Sequence, residues 1–137
     1  MSYGAAAALQ SAVYDLLQAD TAIEALVGDA IYDALPAGTL PQTYVLLGPE
    51  DVRDASDQTG QGARHRFTVT VMSEASGFAS AKQLAVAIGD ALRNASLTLT
   101  RGRVVGLWFE RATAKKTGST GQFRQIDLRF HARVEDN

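Results

Sequence analysis

Two histidines, a pair of lysines beside a Gly/Ser/Thr run and a string of carboxylates are the residues of this 137-residue chain with the types and spacing to do chemistry. His65 and His131 are the only imidazoles. A metal site needs further ligands at close spacing, and neither an HxxxH nor an HxH pattern exists. Both histidines read as strand positions, His65 on the face of Phe67 and His131 with Arg129 and Arg133. The run Lys115-Lys116-Thr117-Gly118-Ser119-Thr120-Gly121 looks like a phosphate loop. That loop requires its lysine after the glycines and a helix behind it; here the lysines come first and a strand follows. Lys116-Thr117-Gly118 also matches one element of serine β-lactamases, whose Ser-x-x-Lys and Ser-Asp-Asn partners are missing. The turn composition predicts a solvated hairpin loop over Lys115–Gly121. The acidic stretch from Glu50 to Asp57 lacks the alternating ligands, central glycine and closing glutamate of a calcium loop.

With no cysteine, thiol catalysis, disulfides and thiolate metal sites are excluded. No nucleophile is paired with a base, no acids are visibly paired, and no cofactor motif is present. The sequence therefore predicts no catalytic, cofactor-binding or metal-binding residue. A net charge of −2 gives no general reason for a nucleic-acid or membrane surface. No apolar run approaches the roughly 18–20 residues of a membrane span. The length suits one domain over residues 1–137, and the composition, 46% apolar and 20% charged, is that of a globular chain.

The elements follow from periodicity. Residues 4–19 predict a helix on the stripe Ala5, Leu9, Ala12, Val13, Leu16 and Leu17. Thr21-Ala22-Ile23-Glu24 has the form of a capping box opening a second short helix, which Gly28 stops. Ile31-Tyr32 predicts a short strand, and Pro36, Gly38 and Pro41 punctuate a loop. Thr43–Leu47 predicts a short strand, apolar on both faces and ended by Gly48-Pro49. Glu50 to Gly62 predicts a long acidic loop, mobile in the free subunit and ordered against a neighbour. Arg64–Met72 alternates as a half-buried strand. Phe78–Arg93 predicts a helix buried on Ala81, Leu84, Ala85, Ile88 and Leu92, with Asn94 at its end. Leu97–Thr100 and Arg103–Ala114 predict a hairpin turning at Gly102. In its second strand Val105, Leu107 and Phe109 share one face and Trp108 the other. Gln125–Val134 alternates most cleanly of all. This order predicts an α+β fold: an antiparallel β-sheet with two main helices packed on one face.

Several segments in this order resemble a known family. They are Leu16-Leu17-Gln18-Ala19-Asp20, Ile23-Glu24-Ala25-Leu26-Val27-Gly28, Ile31-Tyr32-Asp33 and Leu40-Pro41-Gln42-Thr43-Tyr44-Val45-Leu46-Leu47-Gly48. Gly77-Phe78 leading into the helix of Ala81, Leu84 and Ile88, and the closing strand Arg124–Val134, complete the pattern. The chain is similar, over nearly its full length, to the tail completion or tail terminator family of long-tailed phages and bacterial gene transfer agents. The resemblance implies a structural subunit forming a homohexameric ring on the last tail-tube ring, joined to the tail tube protein and to the head–tail connector or neck. It implies DNA passing through the ring without specific binding, no membrane, no cofactor and no catalytic residues. It also implies assembly in the bacterial cytoplasm and residence at the head-proximal end of the tail of a virion or phage-like particle.

Candidate contact residues follow from the elements. Tyr44 and Leu46 lie on the two-faced apolar strand; Asp51, Arg53, Asp54 and Asp57 on the acidic segment; Lys115 and Lys116 at the other polar loop. Trp108 stands opposite the core stripe, where either a helix or loop or a subunit interface must cover it. Two readings from other classes are a small α+β enzyme with an unrecognised site and a nucleic-acid-binding module using Arg64, Arg66, Arg101, Arg103, Lys115 and Lys116. Converging titrating groups in a pocket would favour the first, and salt-dependent DNA binding the second.

Overall fold

The 13 residues Phe123–Glu135 form the strand around which the molecule is built, in a computed structural model that describes residues 3–56, 60–93 and 95–136. The elements in chain order are α1 (Ala6–Ala19), α2 (Thr21–Val27), β1 (Ile31–Tyr32), β2 (Thr43–Asp54), β3 (Gly62–Ser73), α3 (Ala79–Arg93), β4 (Arg103–Thr117) and β5 (Phe123–Glu135). One five-stranded sheet has the order β1-β2-β3-β5-β4. Every pair is antiparallel except β1 with β2. This is the α+β layout that the periodicity predicts, with the short α2 added to the two main helices.

Alternation decides which face the helices cover. Ile126, Leu128, Phe130, Ala132 and Val134 of β5 are buried, and opposite them on β3 lie Val71, Val69, Phe67, His65 and Ala63. Residues spaced by four on α1 (Leu9, Val13 and Leu17) and at helical spacing on α3 (Ala81, Leu84, Ile88 and Leu92) close over them. Ile23 of α2, Ile31 of β1 and Val45 of β2 complete the same core. The opposite sheet face carries no helix.

Several local expectations are corrected. The cap of α2 is Asp20, whose carboxylate accepts the Ile23 N–H at 2.9 Å. Thr21 is therefore the first helical residue, and Glu24 stands one position too late for a capping box. Gly28 ends the helix as expected, at φ 62°, donating its N–H to Glu24.

Gly48-Pro49 does not end β2. The register shifts between Leu47 and Glu50, and the strand resumes against β3 with Glu50, Asp51, Val52, Arg53 and Asp54 opposite Phe67, Arg66, His65, Arg64 and Ala63. A bulge is where a strand tolerates a proline, because the ladder there already lacks a bond. Residues 50–54 are thus part of the sheet and not of a loop, and Asp51 faces Arg66 across the ladder. The hairpin tip is narrowed by Ala55 N–H donating to Gly62 O at 2.9 Å and by Ser56 donating to the Asp54 carboxylate. Residues 57–59 of the tip, Asp57 among them, lie outside the described residues, as does Asn94.

Leu97–Thr100 forms no strand. Leu97 and Leu99 instead pack against the core, and β4 pairs with β5 alone. Gly102 still needs its left-handed φ of 79°, and a Cβ there would stand 2.7 Å from Glu135 O. The β4 strand runs to Thr117, so Lys115 and Lys116 are strand residues rather than loop residues. Two register shifts in β4, at Val105 and Glu110, break the simple parity. Val104 packs on the core in place of Val105, which is exposed.

Two results are expected. Ile88 is fully buried beneath α3, so Ile88→Ala should lower the unfolding free energy by about 2–5 kcal/mol in urea titrations. His65 is buried on the helix side, its Nδ1 without a hydrogen-bond partner. Burial holds its pKa below the ordinary value, with Glu50 opposing weakly. The unfolded chain then binds more protons than the folded one as the pH falls through roughly 6.5, so stability drops there and levels off below the depressed folded value. His65→Leu should flatten this part of the profile, and urea midpoints between about pH 7.5 and 5 would check it.

Candidate assembly interface

The uncovered sheet face gathers most of the sequence-predicted contact residues. On β2, Leu46, Asp51 and Arg53 point to it; on β4, Trp108 and Lys115 do. The two groups are not adjacent, since β3 and β5 separate them. Tyr44 also belongs to this face but is buried within the subunit, its ring 6.1 Å from that of Tyr32. Asp54 and Lys116 fall on the helix side, opposite Ala63 and Arg124. Thr43–Leu47 therefore does not stand ready as a bare apolar strip: Val45 is in the core and β1 pairs along Val45 and Leu46.

Glu110 was missed by sequence reasoning. The bulge at this position lets its carboxylate turn toward the open face, where it sits 2.9 Å from Arg66 Nη2, 3.9 Å from Arg129 Nε and 3.7 Å from His131 Nδ1. A bulge re-aims a side chain in this way, and no periodicity signal announces it. Further pairs run along the strands: Arg103 with Glu135 at 2.7 Å and Lys115 with Asp127 at 3.7 Å. Asp127 also accepts from the Thr70 hydroxyl at 2.9 Å. Arg101 is held off this face by a two-pronged contact with Asp136, both bonds 2.9 Å. Much of the basic set that could grip a nucleic acid is thereby neutralised in place or, like Lys116, turned away. Among the described residues, no three His, Cys, Asp or Glu side chains gather closely enough to hold a metal ion.

Trp108 is covered by neither helix nor loop and stays 48% exposed. Its indole lies tilted against the His131 ring at 5.0 Å and folds back over Gly106. A Cβ on Gly106 would fall 2.3 Å from the far edge of the indole, so the glycine makes the seat on which the ring rests.

A second surface lies on the helix side, where α3 covers β4 only in part. Val86, Gly89 and Arg93 form one wall, Phe109, Ala112 and Ala114 the other, over a floor of Ile126 and Leu128. The groove has a volume of about 470 Å³ and is mainly apolar. Val86 and Phe109 are 62% and 59% exposed in it. Its lining holds no paired acid and base; Lys82, Asp90 and Arg93 stand at its rim, Asp90 bound to Arg93 at 3.3 Å.

The molecule thus presents an open sheet face and, on its other side, an apolar groove. Residues 11–135 match the family described as tail completion protein gp17. The chain belongs to that family. It is also similar to a chain in the solved structure of a virion of a native gene transfer agent particle, at 57% identity and a TM-score of 0.92. That match covers 98% of this chain and 99% of the other. No curated protein matches.

The single Trp makes the Gly106 seat observable. In Gly106→Ala the far end of the indole must swing off the strand, which an exposed side chain can do. The emission of Trp108 should move to longer wavelength while stability changes by no more than about 1 kcal/mol. An unshifted spectrum would place the indole elsewhere.

Proposed function

We propose that this tail completion protein forms a six-membered ring that closes the head-proximal end of a phage-like tail, stops growth of the tube and presents the surface that docks to the neck. The observation that carries the proposal is the full-length similarity to a chain of a gene transfer agent virion. Its fold supports it. Both margins of the sheet are open: β4 is an edge strand, and β1 pairs with only Val45 and Leu46 of β2. A cyclic ring requires two different patches on each subunit, one meeting the other on the next copy. The protein's work on this reading is mechanical, with no catalytic residue. Its partners are further copies of itself, the tail tube protein and the connector or neck protein. DNA would pass without being gripped, since much of the open face's basic charge is balanced by its own carboxylates.

The genetic outcome distinguishes this from an accessory role. Cells lacking the protein should accumulate DNA-filled heads and separate tails of irregular length. Normal, joined and transducing particles from such cells would overturn the proposal.

A further inference from the structure

The charges of the chain are sorted along its length. Residues 1–52 contain seven carboxylates and neither lysine nor arginine, whereas residues 79–137 contain ten lysines and arginines against five carboxylates. The fold turns this sorting into geometry. The first segment builds α1, α2, β1 and the start of β2, toward one margin of the sheet; the last builds β5 and β4 toward the other, with α3 lying over the sheet between them. Each subunit is thus acidic on one flank and basic on the opposite one. Copies set flank to opposite flank attract, and copies set like to like repel.

Each flank also carries an exposed apolar feature. The basic flank has the groove between α3 and β4, with Val86 and Phe109 exposed in it and Lys82, Arg93 and the Arg93-bound Asp90 at its rim. The acidic flank has an exposed connecting segment. Strands β1 and β2 are parallel neighbours, so the chain between them must travel back past the sheet to start β2 in the same direction. That return segment, residues 33–42, has no regular structure, and Leu35 stands 48% exposed on it beside Pro36. Asp33 stands on the segment itself and Asp29 shortly before it; both are exposed, the backbone O of Asp29 accepting from Gln18. A proline-bearing loop loses little entropy when held, which suits it to insertion.

We infer that the groove between α3 and β4 of one subunit receives the Leu35 loop of the next copy. Leu35 and Pro36 lie over Val86, Phe109, Ala112 and Ala114, and Asp29 and Asp33 meet the Lys82 and Arg93 side of the rim. The contact joins unlike patches, so repeating it about an axis closes a ring. This rests on the ring reading above and adds which surfaces meet.

The absence of native cysteine makes the contact directly testable. Leu35 and Val86 are both exposed, so Leu35→Cys and Val86→Cys leave the core untouched. In intact particles carrying both substitutions, a short bis-maleimide should link the chain into a ladder of multimers, and neither single variant should give one. Particles with joined tails and this chain only as monomer on the gel would overturn the groove contact while leaving the ring reading standing. A chain present in joined particles at other than six-fold or pseudo-six-fold symmetry would overturn the ring reading itself. Val86→Cys alone supplies a second measurement. Its maleimide labelling should be at least about tenfold slower in particles than in the free subunit, because the centre of a contact excludes water and reagent. Equal labelling in both states would also overturn the groove contact, whatever the double variant does.

Discussion

Phe130, at the middle of β5, stacks on Phe67 of β3 with ring centroids 5.6 Å apart and takes the edge of Phe109 of β4 at 5.8 Å. This three-ring row ties together β3, β5 and β4 on the one face that the helices cover. Aromatic pairs in such arrangements add about 0.5–1.5 kcal/mol each beyond the area they bury. The row is unevenly protected. Phe130 is buried and Phe67 half-buried, but Phe109 is mostly exposed because α3 covers β4 only in part. That shortfall of cover is the constraint from which the rest follows. A sheet five strands wide needs more helix than three short segments provide, and the uncovered strip becomes the groove.

The same economy appears on the other face. With no helix there, the strands carry paired charges: Arg66, Arg129 and Glu110 together, Arg103 with Glu135, Lys115 with Asp127. Such half-exposed pairs contribute little stability, with a median of about 0–1 kcal/mol. Their effect is to keep the open face soluble and to consume its cations internally. Stability comes from the helix side, where the core is buried.

Much of this was legible in the sequence wherever periodicity was unbroken. The alternation of Ile126, Leu128, Phe130, Ala132 and Val134 gave β5 and its buried face, and the helical stripes gave α1 and α3. Reading failed where one residue changed parity or continuity. Gly48-Pro49 has the composition of a terminator but acts as a bulge, so the charged half of β2 was read as a loop. The bulges at Val105 and Glu110 exchanged which β4 residues face the core and hid the role of Glu110. Leu97 and Leu99 alternate like a strand yet satisfy their burial by packing alone. Trp108 lies on the face opposite Phe109, as its parity predicts, because that parity survives between the bulges. The groove was invisible, because Val86, Phe109 and Ala112 are distant in sequence and only the short reach of α3 brings them to one opening.

The central claim is that this chain is a structural ring subunit completed by copies of itself, and its copy number tests that most directly. Isotope-dilution mass spectrometry of purified particles, with the chain quantified against a capsid protein of known stoichiometry, counts subunits per particle without depending on any variant. The account predicts six, the number that closes one ring at the end of one tail. A substoichiometric count, or a count in the tens that tracks tail length, would contradict it.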